Sequence, residues 1–433
     1  MLLDRIVTAV VVMILAAAPM AAQTALPPQY VGPGSCSSST CHGSVPPRTD
    51  ARIPQDEYSI WVLQDKHAKA YGVLANQQSQ RIARNLRLND KPQQSHQCLG
   101  CHALDVPASQ KARPFDFSDG VGCESCHGPA SKWLGPHTAR NWTHEQSVAV
   151  GMFDTKNLIR RSEKCLSCHL GNQDQEVTHE MIAAGHPDLL FELDSYTAVM
   201  PRHWKEPLDQ DPYREVRAWS VGQAVQLREA LTALARRAGS TQWPEYAEYD
   251  CASCHHPLVK PDESWRQQFG YDDRTAGTPP WNPQGYQAFR QLVREVDASS
   301  ASQLDTELKE VAGNMNRLQQ SPRAISDAAT RAASAADTLA TRLNGMSYSR
   351  ELTIRVLHNI VADADSVSAT GERSAEQATM AVDSLVLACN PPLPRADAIQ
   401  AAVAGLFKQL ENPSSYNART FAAQMKAIAP LLP

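Results

Sequence analysis

Cys123-Glu124-Ser125-Cys126-His127 is one of four stretches in which two cysteines lie three positions apart and a histidine follows the second directly. This is the attachment pattern of c-type haem, because two thiols at this spacing can form thioethers to the two vinyl groups of one porphyrin and the adjacent imidazole can bind its iron. Each stretch therefore predicts one covalently held haem and its proximal ligand. The other three are Cys98-Leu99-Gly100-Cys101-His102, Cys165-Leu166-Ser167-Cys168-His169 and Cys251-Ala252-Ser253-Cys254-His255.

A looser version of the pattern comes first in the chain, with four residues between Cys36 and Cys41 and with His42 directly after them. A small disulfide loop is the alternative for this pair, since exported proteins use such loops. The following Gly43 repeats the Cys-His-Gly sequence of residues 126–128, which favours a fifth haem. For the four regular motifs the alternative is a zinc site or a redox dithiol, and neither requires a histidine directly after the second cysteine. The sequence thus predicts about five haem c groups.

The amino terminus predicts export. A weakly basic start, an apolar stretch from Ile6 to Ala18 and a following run of small residues are typical of a secretory signal peptide, here residues 1–22. An uncleaved membrane anchor is the alternative, but the apolar stretch is shorter than the roughly 20 residues that a membrane span needs. We therefore expect a periplasmic or otherwise exported protein with no transmembrane anchor after cleavage, in agreement with haem attachment after export.

The chain is acidic, with 433 residues and a formal net charge of -5. Haem propionates would add further negative charge, because carboxylates are ionised at neutral pH. We therefore expect no nucleic-acid partner, and the charge fits a basic docking surface on another redox protein. Ten of the 11 cysteines belong to the motifs, so Cys389 has no cysteine left as a disulfide partner and is expected to be structural.

Histidines outside the motifs are candidates for the second axial ligand of each iron. His67 lies on the apolar face of a helix predicted from Asp56 to about Leu88, and in a chain with several irons such a histidine is expected to be a ligand. His179 and His186 are seven residues apart, and we expect them to share one face of a helix that ends at Gly185. The remaining candidates are His137 and His203, whereas His96, His144, His256 and His358 are set aside as solvated or structural.

Residues 286–433 contain no haem motif and consist of alanine-rich amphipathic segments, preceded by a long helix predicted from Glu215 to Gly239. We expect these segments to form an antiparallel bundle or an irregular helical cap. The predicted fold class is mainly α, with short helices and loops around stacked haems in a pentahaem domain at 23–282 and a haem-free helical domain at 283–433. The amphipathic segments are 286–296, 302–320, 323–343, 348–364, 373–389 and 395–411.

Several phrases together resemble the multihaem cytochromes c of the cytochrome c554 type, over about residues 30–282. The resemblance implies that His67, His137, His179 and His186 are sixth ligands, with His203 as the remaining candidate. The best-known member of this family has four haems, so the fifth motif and the helical region are departures from it. The phrases are Trp61-x5-His67-Ala68-x-Ala70-Tyr71, Gly122-Cys123-Glu124-Ser125-Cys126-His127-Gly128-Pro129, Ala184-Gly185-His186-Pro187, and Tyr249-Asp250-Cys251 to His256.

Five proximal and five candidate distal histidines allow every iron to be held between two imidazoles, which leaves no open site for a substrate. We therefore expect an electron carrier that connects respiratory redox partners, either other redox proteins or a membrane quinone-linked complex. Its potentials should be low because no methionine thioether is used as a ligand. The alternative is an oxidoreductase that acts on a small nitrogen or sulfur oxyanion at one five-coordinate haem. The lysine that replaces the motif histidine in the nitrite reductase type occurs in none of the motifs.

Overall fold

The computed structural model describes residues 27–51, 53–113, 115–255, 279–283, 285–412 and 415–433. Within these ranges the chain is mainly helical and contains no β-strand, only two isolated bridges that join Tyr30 to Lys111 and Tyr249 to Trp281. The predicted mainly α fold class is confirmed. The predicted signal peptide and His256 lie outside the described residues. None of the helices described here is both long and apolar enough to span a membrane.

Short helices carry the second, third and fourth motifs, whereas the first motif lies in turns after a 3-10 helix at Pro33–Ser35. The second and third motifs each form a helix and the fourth ends one, so the two cysteines and the histidine of each lie within about two helical turns. The fifth motif begins as a 3-10 helix at Cys251–Ser253. The α-helices of this part are α1 Glu57–Gln64, α2 Ala70–Val73, α3 Gln77–Asn85, α4 His96–His102, α5 Cys123–His127, α6 His144–Ala149, α7 Leu158–His169, α8 His179–Ala183 and α9 Leu193–Val199.

The single long helix predicted from Asp56 to about Leu88 is wrong. That segment contains α1, a 3-10 helix at His67–Lys69, α2 and α3. α1 ends because Asp65 is extended and its carboxylate accepts the backbone N–H of His67. α3 begins anew where the Asn76 side chain accepts the backbone N–H of Ser79. The apolar period continues across these breaks, so periodicity alone did not reveal them.

The largest hydrophobic core surrounds α10, which spans Arg214–Ala238 and agrees with the helix predicted from Glu215 to Gly239 to within one residue. Trp219, Leu231 and Leu234 of α10 are fully buried in this core, which also includes residues of α7 and α9 and extends to Leu432. The other helices around it are α11 Tyr286–Val296, α12 Ala298–Met315, α13 Pro322–Gly345, α14 Arg350–Ala362, α15 Ala364–Ala369, α16 Glu372–Leu387, α17 Ala396–Leu410 and α18 Ala418–Lys426.

Among the described residues before 156, the apolar clusters are small. One consists of Val31, Ala130 and Trp133, and the other of Leu74, Leu99 and Ala103, each with a few half-buried neighbours. These clusters bury far less apolar surface than the core around α10. The interior of this region must therefore be completed by something other than aliphatic side chains, which is consistent with porphyrin binding.

Replacement of Leu231 by alanine should lower the free energy of unfolding by about 2–5 kcal/mol, because this side chain is fully buried in the core around α10. Guanidinium denaturation followed by the far-ultraviolet circular dichroism signal measures the loss. Leu387→Ala is the matched control, since Leu387 in α16 is 61% exposed and its truncation should change the stability by less than about 0.5 kcal/mol. Equal losses in the two variants would contradict the assignment of this core.

Candidate functional site

Each motif histidine lies next to one histidine from outside the motifs. Four of these pairs have ring centroids 6.1 to 6.5 Å apart. In the second motif, burial is the main cause of a lowered pKa of His102, and the nearby His186 lowers it further. The ten predicted ligands thus comprise four ring pairs and the neighbours His102 and His186, so that each motif histidine has a different candidate partner. The four measured separations are 6.1 Å for His42 and His137, 6.2 Å for His67 and His169, 6.5 Å for His127 and His203, and 6.2 Å for His179 and His255.

These separations fit a metal ion between the two rings of a pair. A metal–imidazole bond is about 2 Å long and the ring centroid lies about 1 Å beyond the ligating nitrogen, so two imidazoles on opposite sides of one metal have centroids about 6 Å apart. Direct aromatic packing gives similar distances, about 4.5–7 Å. Packing alone, however, gives no reason for each motif histidine to select a different histidine from outside the motifs. The residues present therefore fit haem c with two axial imidazoles.

Burial keeps several of these imidazoles in the neutral form. Desolvation lowers the pKa of His127 and of His169 to about 4, and it also lowers the pKa values of His102 and His203. A neutral imidazole has a free ring nitrogen, which is the form that binds a metal ion. These four side chains therefore have the protonation state that iron ligation requires.

Hydrogen bonds from Nδ1 orient three of the candidate ligands. The Nδ1–H groups donate to backbone carbonyl oxygens, from His102 to Ala70 at 3.0 Å, from His137 to Leu134 at 2.6 Å and from His186 to Pro187 at 2.7 Å. Such a bond fixes the tautomer and leaves Nε2 as the nitrogen available to a metal, which is the usual arrangement around metal-bound histidines.

Two further candidates use a carboxylate instead of a carbonyl. The Nδ1 atom of His42 lies 3.0 Å from the Glu57 carboxylate, and that of His67 lies 3.0 Å from the Asp65 carboxylate. Burial pushes the pKa of both acids upward, but the hydrogen bonds from the histidines outweigh it and hold both pKa values below their usual range. Neither Glu57 nor Asp65 was predicted from the sequence. Asp65 could have been predicted as a partner of His67, because it lies two residues before it in the sequence. Glu57 is 15 residues from His42, and no sequence pattern connects the two.

The histidines that were set aside differ from the paired ones. Nε2 of His144 is bonded to the Asp154 carboxylate at 2.9 Å, and the Nε2–H group of His358 donates to the Pro433 carbonyl oxygen at 3.0 Å. Their Nε2 atoms are therefore already engaged. His96 has its Nδ1 bonded to Asp105, but its side chain is 86% exposed and faces no second imidazole.

The wide first motif folds so that His42 is paired like the other proximal histidines. The backbone N–H of His42 donates to the Cys36 carbonyl, which closes the longer loop between the two cysteines. A side chain at Gly43 would place its Cβ 1.9 Å from the Ser37 carbonyl oxygen, so this loop requires glycine there. Cys36 and Cys41 are free thiols and form no disulfide.

Contacts between the motifs define which of them are neighbours. The Cys36 and Cys123 thiols lie close enough to shift each other's pKa, which joins the first and third motifs, and the Cys168 thiol donates to the Gly100 carbonyl oxygen at 3.9 Å, which joins the fourth motif to the second. Cys126 lies close enough to Cys168 for an electrostatic effect on its pKa, which links the third motif to the fourth. The first four motifs are therefore contiguous in the order first, third, fourth, second.

The fifth motif is attached to this group through the loop after α8 and through α16. Arg373, near the start of α16, forms an ion pair with Asp188 and also lies near the Cys251 thiol. Asp188 is two residues from His186, the partner of the second motif. The expectation that His179 and His186 share one helix face is wrong, because α8 ends at Ala183 and Gly185 has a φ of 115°, so that the chain turns before His186. The two histidines instead face different motifs.

His203 lies in a loop that is held by a buried cluster of charges. Its ring packs edge to face on Trp204, with 4.9 Å between centroids, and the Trp204 indole N–H donates to Glu206 at 2.7 Å. Glu206 also pairs with Arg161 at 2.8 Å and with Arg214 at 2.5 Å. Burial raises the pKa of Glu206, but the bonds to these partners outweigh it and lower the pKa to about 2. The cluster therefore keeps the loop, and with it His203, beside His127.

Comparisons with known proteins agree with this geometry. Residues 36–128 match the family model described as cytochrome c554 and c-prime. The chain is also 30% identical over 117 aligned residues to cytochrome c-554 of Nitrosomonas europaea, an alignment that covers 24% of this chain and 48% of that protein. The chain thus spans about half the length of this relative. No solved structure matches the chain.

Replacement of His137 by alanine should convert one haem centre from low spin to high spin, because the His137 ring faces that of His42 and would be the second imidazole at that site. The optical and electron paramagnetic resonance spectra of the ferric protein measure the change. His144→Ala is the matched control, since the Nε2 atom of His144 is bonded to Asp154 and its loss should leave every centre low spin. A fully low-spin His137→Ala protein would remove His137 from the ligand set.

Proposed function

We propose that this protein is an exported electron carrier with about five haem c groups, because residues 36–128 match the family model described as cytochrome c554 and c-prime and the same attachment pattern recurs up to residue 255. In this proposal the haems are attached by the five cysteine pairs, and each iron is held between the two histidines of one pair. The carrier connects respiratory redox partners, either other redox proteins or a membrane quinone-linked complex, and acts in the periplasm or another exported location.

One observation supports this proposal most directly. Five motif histidines are matched by five different histidines from distant parts of the sequence, with the measured rings 6.1 to 6.5 Å apart. An iron bound on both faces by imidazole has no coordination position for a substrate. Such a centre can change its oxidation state with little rearrangement of its ligands, and this property suits an electron carrier rather than a catalyst.

The protein residues fix the ligands and exclude water, whereas bound haem c supplies a one-electron iron couple at each pair. The backbone carbonyls of Ala70, Leu134 and Pro187 hold three imidazoles in one tautomer. Phe191 and Tyr196 pack on the His169 ring, with centroids 5.1 and 5.3 Å away, and separate it from solvent. The contacts between motifs give a route in the order first, third, fourth, second and fifth, along which electrons can pass between neighbouring pairs.

The segment from Lys66 to Arg87 is a suitable docking face for a redox partner. Lys66, Lys69, Arg81, Arg84 and Arg87 are exposed there and take part in no ion pair, although most other arginines of the described ranges do. The same segment contains His67 and binds His102 through the Ala70 carbonyl, so it lies beside the fourth and second pairs. The acidic net charge of the whole chain favours a basic partner surface, whereas this local face favours an acidic one.

Pyridine haemochrome analysis of the mature protein should give about five haem c groups, and the reduced protein should not bind carbon monoxide. This follows from two imidazoles at each iron, which leave no open coordination position. Replacing Cys36 and Cys41 by serine should lower the stoichiometry by one haem. Carbon monoxide or nitrite binding at about one haem in five would instead favour the oxidoreductase alternative, and zinc in place of iron would end the proposal.

Charge reversal by Arg81→Glu and Arg84→Glu together should slow oxidation of the reduced protein by the anionic oxidant ferricyanide by roughly threefold to tenfold at low ionic strength. The two arginines are exposed and unpaired, so their exchange reverses the potential at this face without loss of an ion pair. Stopped-flow absorbance measures the rate. Arg419→Glu serves as the control. It reverses one charge instead of two, at an exposed site on α18. If both proteins lose rate in proportion to net charge, no specific docking face lies at this segment.

A further inference from the structure

The helix α1 presents a carboxylate at each end to a different candidate ligand. Glu57 is the first residue of α1, and Asp65 directly follows its last residue. Glu57 lies 3.0 Å from Nδ1 of His42, in the first pair, and Asp65 lies 3.0 Å from Nδ1 of His67, in the fourth pair. One short helix thus contacts two of the five centres through acids.

No other paired histidine has an acidic partner on its ring among the described residues. His102, His137 and His186 donate from Nδ1 to backbone carbonyls instead. A carboxylate that accepts the Nδ1–H bond draws the imidazole toward imidazolate character, which makes it a stronger donor to iron than a carbonyl-bound imidazole. The negative charge also favours the ferric over the ferrous state of a nearby iron.

We propose that Glu57 and Asp65 are positioning residues that set the first and fourth haems at lower reduction potentials than the other three. This inference rests on the proposed function, because it requires a haem at each pair. The two acids act through His42 and His67 and do not touch the iron. Electrons would therefore be held preferentially at the third, second and fifth centres. In the order of contacts, the third centre precedes the fourth, and the second and fifth follow it.

The surroundings of the two acids predict that Asp65 has the larger effect. The Asp65 side chain is 4% exposed, and that of Glu57 is 14% exposed. A charge that is more completely removed from water is less screened and acts more strongly on its neighbours. Asp65 also accepts the backbone N–H of His67 through the same oxygen, Oδ1, which fixes its orientation.

The angles between the paired rings allow the two centres to be followed separately. The His42 and His137 rings are 6° from parallel, whereas the His67 and His169 rings are 89° apart. Low-spin ferric haem with near-parallel imidazoles gives a rhombic electron paramagnetic resonance signal, and perpendicular imidazoles give a signal with a large maximum g value. The first and fourth centres therefore belong to different signal classes.

The test is a redox titration of the complete mature protein, followed by electron paramagnetic resonance, with Glu57→Gln and Asp65→Asn. Both amides keep an acceptor oxygen, and asparagine can replace aspartate in capping the His67 N–H, so the fold should be retained. Glu57→Gln should move one rhombic signal to higher potential, and Asp65→Asn should move one large-g signal further in the same direction. If Asp65→Asn does not mature, the shift in Glu57→Gln is still required.

The control is Asp105→Asn, which removes a carboxylate from the Nδ1 atom of the exposed His96 and should leave the potentials of the first and fourth centres unchanged. Unchanged potentials in both test variants, with all haems present and low spin, would overturn this inference and leave the proposed function intact. A uniform shift of all centres in Asp105→Asn as well would also overturn it, because net charge would then explain the effect. Missing haems or a high-spin centre in the unmodified protein would instead contradict the proposed function.

Discussion

The pairing of imidazoles across a gap of about 6 Å is the constraint on which the first part of the molecule depends. Each pair joins a motif to a residue that is far away in the sequence, such as His42 to His137 and His67 to His169. A metal ion within such a pair cross-links the two segments. In the proposed protein, irons held at these pairs would couple cofactor binding to folding, as structural metals do in small domains. The helices between them can therefore be short and the apolar clusters small.

This constraint also explains the difference in composition between the two parts of the chain. Residues 27–155 have two small apolar clusters, around Trp133 and Leu99, whereas the core around α10 continues to Leu432. If the proposed haems are bound, stability in the first part depends on them, whereas in the second part it depends on the burial of side chains. α7 belongs to both, because its last residues are the fourth motif and its Leu158 and Leu166 lie in the large core.

The sequence was sufficient to predict the motifs, the mainly α fold and the identities of the histidines that the structure brings into pairs. A Cys-x-x-Cys-His stretch is local, so its chemistry can be read from neighbouring residues. Which distal histidine faces which motif could not be predicted, because the choice of His137 for His42, or of His203 for His127, is a tertiary contact. The break in the helix after Gln64 was missed for a related reason, since Asp65 leaves the helical conformation in order to bind His67.

Asp65 therefore has two roles. It interrupts the helix that the local apolar pattern predicts, and it orients His67 in the folded chain. Locally it ends α1 at Gln64, although the apolar pattern predicts a helix that continues to about Leu88. In the folded chain the same carboxylate accepts both the backbone and the ring N–H of His67, and it is almost completely buried. A buried acid without such partners would be costly, so the two hydrogen bonds are what allow it to remain ionised there. The place where the helix pattern fails is thus a place where the chain positions a ligand, and the interruption of α1 is a consequence of the site.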